Sequence, residues 1–139
     1  MGVPLDRSGR TRAARVVVSS DRWPLLTMHW PPGERSDEDV RAACDSLRKV
    51  VARDEPHVFL VDGRRATLPT PWQLREIVRL SAELESRSRC AATAMVVASP
   101  SIKALFDSIR WMKVSRQRFA SFRSVHEAER WLRGFLDFP

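Results

Sequence analysis

Residues 57–63, HVFLVDG, and the Thr70-Pro71-Trp72-Gln73 that follows a short loop decide the fold. His57 to Val61 is a continuous apolar run without alternation, the pattern of a strand buried on both faces, and it stops at Asp62-Gly63. Thr70 then supplies a helix N-cap. Pro71 occupies the first helical position, where its missing N–H costs nothing, and Gln73 completes a capping box. Behind it Leu74, Ile77, Leu80 and Leu84 recur on one side of the helix. A strand buried on both faces that feeds a capped amphipathic helix is the repeating unit of a parallel α/β sheet.

The same alternation continues in both directions. Downstream, Cys90 to Ala98 (CAATAMVVA) reads as a second buried strand, and Ser99-Pro100 caps a helix carrying Ile102, Leu105, Phe106 and Ile109. Phe119 to Phe122 (FASF) is a short strand. Ser124-Val-His-Glu127 is another capping box, before a last helix lined by Val125, Ala128, Trp131, Leu132 and Phe135. Upstream, Arg15 to Ser20 (RVVVSS) and Leu25 to Trp30 (LLTMHW) are β-rich runs joined by Asp-Arg-Trp-Pro, which predicts an antiparallel hairpin. Ser36 and its acidic successors Asp37, Glu38 and Asp39 then open a helix with Val40, Cys44, Leu47 and Val51 on one face. The predicted class is α/β: a mixed, mostly parallel sheet of about five strands with four helices, in the order ββαβαβαβα. One domain is expected over residues 15–138, after an Arg-rich lead-in over 1–14.

Composition narrows the function classes. The chain has 139 residues, 43% hydrophobic and 29% charged, so it can bury a proper core. Net charge is +7, but the basic residues are almost all Arg, with Lys only at 49, 103 and 113; the chain-wide skew weakens any inference to phosphate-rich partners. No stretch reaches the length of a membrane span, and the start lacks the apolar run of a signal peptide. Cys44 and Cys90 sit in apolar segments without metal-ligand spacing, as buried thiols do, which fits a cytoplasmic location.

The strand ending in an acid (VFLVDGRRAT), the strand running into a capped helix (AMVVASPSIKALFDSIRW) and the closing strand and helix (FASFRSVHEAERWL) resemble the SpoIIAA-like branch of the STAS superfamily. The resemblance covers residues 15–136. It implies a small bacterial domain with a mixed sheet, akin also to the lipid-binding SEC14 fold, and a role in regulation or binding rather than catalysis. Signalling members of the superfamily carry a phosphorylatable Ser or Thr in the turn after the central strand. Here that turn is Asp62-Gly63-Arg64-Arg65-Ala66-Thr67, without Ser, and Thr70 is explained as a cap.

Ligands of such sheets collect outside the carboxyl ends of the parallel strands, where helix N-termini present free N–H groups. Asp62, Arg64 and Arg65 follow one strand and Ser99 and Ser101 another; the arginines have the chemistry to hold a phosphate or carboxylate. The plainer reading makes Asp62 an organiser of its own loop, the arginines solvated and Ser99 a cap. Trp23 and Trp30 bracket the second hairpin strand and would mark a contact surface if exposed together. Arg110, Lys113, Arg116, Arg118 and Arg123, interleaved with Trp111 and Phe119, form the basic segment best suited to nucleic acid, or else a solvated helix end. His29, His57 and His126 lack partners at metal-ligand spacing and read as strand or cap residues. No Gly-x-Ser-x-Gly elbow or Gly-rich phosphate loop is present.

The expectation is therefore a non-enzymatic regulatory or scaffolding module of a bacterial cytosolic pathway, without metal or cofactor, that binds a partner protein or a small anionic ligand. Nucleic-acid association through residues 110–123 and a SEC14-like apolar or lipid ligand are the alternatives. No membrane insertion is expected, and a homodimer is compatible with the sequence.

Overall fold

The computed structural model describes residues 15–87, 89–112 and 118–139. The strands are β1 (Val17–Arg22), β2 (Leu25–His29), β3 (His57–Asp62), β4 (Cys90–Val96) and β5 (Arg118–Phe122). The helices are α1 (Asp37–Val51), α2 (Pro71–Arg87), α3 (Pro100–Met112) and α4 (Val125–Arg133). This is the predicted order. The strands lie side by side as β1-β2-β3-β4-β5, with β1 antiparallel to β2 and every other pair parallel.

The helices start where the sequence places them. Ser36 accepts from the Asp39 N–H at 3.1 Å, and Ser124 from that of Glu127 at 3.1 Å. At α2 the capping box closes in both directions: the Gln73 N–H donates to Thr70 Oγ1, and the Thr70 N–H to Gln73 Oε1. The first strand differs from the sequence reading by two residues at each end: β1 runs from Val17 to Arg22, not from Arg15 to Ser20. Arg22 stays extended opposite Leu25, past an irregularity after Ser19, and the turn shrinks to Trp23 and the cis Pro24. Its guanidinium pairs with Glu129 at 2.6 Å and donates to the Pro139 carbonyl, anchoring the hairpin to α4 and the segment that follows it.

Because the strand order never reverses, crossovers of one hand leave α1, α2 and α3 on one face of the sheet. That face holds one apolar core, with Leu26, Met28, Trp30, Val61 and Met95 of the sheet side against Val40, Leu47, Leu80 and Ile102 of the helices. The helix α4 links no strands and covers the opposite face, where Ala128 and Leu132 seal Leu25, Val58, Leu60, Ala94 and Val96. Strands β3 and β4 are thus buried from both sides, as their unbroken apolar runs require.

Candidate functional site at the carboxyl end of the sheet

The last residues of the parallel strands fall in one row: His29 is opposite Asp62, Asp62 opposite Val96, and Val96 opposite Phe122. Register therefore sets two polar side chains beside each other at the rim. Asp62 Oδ2 lies 3.3 Å from His29 Nδ1, and its side chain is 13% exposed against 50% for the imidazole. Arg64 closes over the same carboxylate. Its Nε donates to Oδ1 at 3.0 Å and its Nη2 to Oδ2 at 2.9 Å, while its backbone N–H reaches Oδ1.

Burial alone would raise the Asp62 pKa. The Arg64 hydrogen bonds, its charge and the His29 imidazole together outweigh that cost, so the carboxyl is held below its ordinary value and stays ionised. The strand end is pinned further, since the Asp62 carbonyl accepts from the Trp30 N–H and the Gly63 N–H donates to the Val96 carbonyl at 2.8 Å.

A second knot joins the loops that follow β2 and β3. Arg35 lies over the Trp30 ring, 4.7 Å from its centroid, and donates to Thr67 Oγ1 at 3.2 Å and to the Thr67 carbonyl at 2.9 Å. The Thr67 hydroxyl donates to the Gly33 carbonyl, at a glycine whose φ of +82° suits a residue without Cβ. Below it, the buried Gln73 amide donates to the Arg35 carbonyl and to Asp37 Oδ1. The two loops behave as one clamped rim, from which Arg65 and Leu68 face solvent, Leu68 with 60% of its surface exposed.

The residues singled out from sequence separate into groups. Asp62 and Arg64 come together and satisfy each other, while Arg65 is exposed on the same loop. Ser99 caps α3 through the Ile102 N–H at 3.4 Å, and Ser101 is exposed beside it. Trp23 and Trp30 do not make a joint surface. They stand at opposite ends of β2, and Trp30 is only 5% exposed, because its side chain turns into the α1 core. Trp23 stacks on His57 and donates to Glu55, far from the Arg64 loop. In the basic segment, Arg118 covers the Phe135 ring at 5.0 Å and Arg123 is exposed; Lys113, Arg116 and the side chain of Arg110 lie outside the described residues.

Sequence reasoning missed His29 and Arg35. The signal for His29 was available: it ends a strand whose parallel neighbour ends in Asp62, and aligned strand ends pair those residues. Arg35 had none, because in Pro-Pro-Gly-Glu-Arg it looks solvated and its burial depends on Thr67 from a later loop.

No group of His, Cys, Asp and Glu among the described residues has the geometry to hold a metal. No described helix is long and apolar enough to cross a membrane. A groove of about 280 Å³ lies at the far end of α1 and α2, but Arg48, Asp54 and Glu83 line it along with Val51 and Leu84, and the Arg48–Glu83 ion pair at 2.8 Å belongs to its wall. A charged wall of this kind does not suit an apolar ligand.

A five-stranded mixed sheet with three helices on one face and one on the other defines a SpoIIAA-like fold. The chain superposes on an uncharacterized protein of the DUF3478 family with a SpoIIAA-like fold, from Shewanella loihica, with a TM-score of 0.68 over 87% of this chain and 96% of that one. Identity is 15%, so the likeness is one of fold. No protein-family model and no curated protein matches the chain.

Proposed function

We propose that this chain is a non-enzymatic binding module that docks a partner protein, in a bacterial cytosolic regulatory pathway, through the rim at the carboxyl end of its sheet. The observation that carries the reading is the closure of Arg64 over both oxygens of Asp62. An acid at the end of a central strand is the natural candidate for a general base or a metal ligand. Here its lone pairs are committed to a guanidinium and an imidazole, so its role is to hold the rim.

Two further facts support a flat docking surface. The strand order has no reversal, and a reversal is what opens the ligand crevice of doubly wound sheets. On the clamped loop, Leu68 stands exposed close to Arg65 in sequence, an apolar anchor beside a cation, the residue mix found in protein interfaces.

Purified protein is expected to leave phosphoester and acyl-ester substrates intact. Turnover that disappears in Asp62→Ala would overturn the non-enzymatic reading.

A further inference from the structure

Arg35 is a buried cation with no carboxylate partner among the described residues. Only 8% of its surface is exposed, no described carboxylate pairs with it, and its Nε is buried with no hydrogen-bond partner. Its two observed bonds go to a neutral hydroxyl and a neutral carbonyl, both of Thr67. Burial acts against its charge. Guanidinium remains charged even so, and a desolvated cation carries a penalty that internal pairing normally offsets.

Arg35 directly precedes Ser36, the N-cap of α1, and Thr67 lies three residues before Thr70, the N-cap of α2, so the knot joins the segments that lead into two helices. The Trp30 ring supports one side of the guanidinium. The acids nearest in sequence are engaged or exposed: Asp37 accepts from Gln73, and Glu34 and Glu38 face solvent.

We infer that the Arg35–Thr67 knot is an oxyanion receptor, which takes a carboxylate or phosphate group on the guanidinium edge now occupied by Thr67, with the Thr67 hydroxyl turned to donate. The inference rests on the docking rim proposed above and names the chemistry that the rim recognises. The oxyanion comes either from an acidic side chain of the partner or from a free small anion, and both present the same group to Arg35.

The test uses the full chain in 15N–1H NMR at constant ionic strength, titrated separately with inorganic phosphate and with a short poly-glutamate peptide. Saturable shifts are expected at the Trp30 indole N–H and the amides of Ser36 and Thr67, with half-saturation at about 1–10 mM phosphate, as for a single charge-assisted site. Arg35→Gln should weaken binding at least about tenfold, and Arg65→Gln by no more than about threefold. Thr67→Val, which keeps the guanidinium and removes the hydroxyl, should weaken it about three- to tenfold and serves if Arg35→Gln fails to fold.

Tighter binding of peptide than of phosphate assigns the oxyanion to a partner's side chain, and binding of phosphate alone assigns it to a free anion. Absence of saturation with both, or affinity unchanged in Arg35→Gln or Thr67→Val, overturns the receptor. Docking that depends on Leu68 while neither probe binds would sink this inference and leave the docking rim standing.

Discussion

Asp62, a binding candidate in the sequence, is engaged in the structure by Arg64 and His29. Arg64 and His29 keep it ionised, so its folded-state pKa is below the ordinary value of 3.8. A depressed acid contributes stability above the unfolded pKa and loses that contribution as pH falls through the folded pKa. Asp62→Asn is expected to lose about 1.5–3 kcal/mol at neutral pH, the range for hydrogen bonds to a charged group. Denaturant titrations of wild type and variant should converge on the acid side of that value. His57 acts with the opposite charge type. It is buried, desolvation pushes its pKa below 6.5, and the bond to the Glu55 carbonyl recovers only part of that shift. The unfolded chain therefore takes up the proton first, and stability falls as pH drops below 6.5 toward the folded pKa. His57→Phe keeps a ring to stack on Trp23 and should flatten that slope in pH-dependent unfolding.

Elements were legible wherever their signals are local. The helix starts at Ser36, Thr70, Ser99 and Ser124 could be read because a cap is a contact between residues three apart. Thr70→Ala and Ser124→Ala are each expected to cost about 1 kcal/mol in chemical denaturation. The Thr70 change should also loosen Gln73 and with it the seat of Arg35, visible as faster amide exchange over 33–37. What was not legible depends on distant partners. The end of β1 shifted because Arg22 reaches Glu129 and Pro139, and the Trp23/Trp30 pair dissolved because a strand puts the residues that bracket it at opposite ends. Arg35 is the extreme case, since its local sequence is that of an exposed turn and only the Thr67 loop buries it.

Across the whole molecule, two cores on one sheet explain why a short helix matters so much. Helix α4 alone carries Ala128 and Leu132 against the second face, both fully buried. Leu132→Ala is expected to cost about 2–5 kcal/mol, read by denaturant midpoint, as for other large buried aliphatic truncations. The basic excess also gains a structural account. Arg22, Arg35, Arg41, Arg53, Arg118 and Arg133 lie over aromatic rings at 4.4 to 5.7 Å, so these six arginines cover rings. The exposed side chains at the carboxyl end of the sheet include His29, Arg65 and Leu68. The most direct test of that rim as the docking surface is photo-crosslinking in the native host, with a photoreactive residue placed at Leu68 or, at the opposite end of the sheet, at Glu55. A discrete adduct at Leu68 that is absent at Glu55 and lost on Arg65→Glu is the expected result. No adduct at Leu68, or equal adducts at both ends, would contradict it.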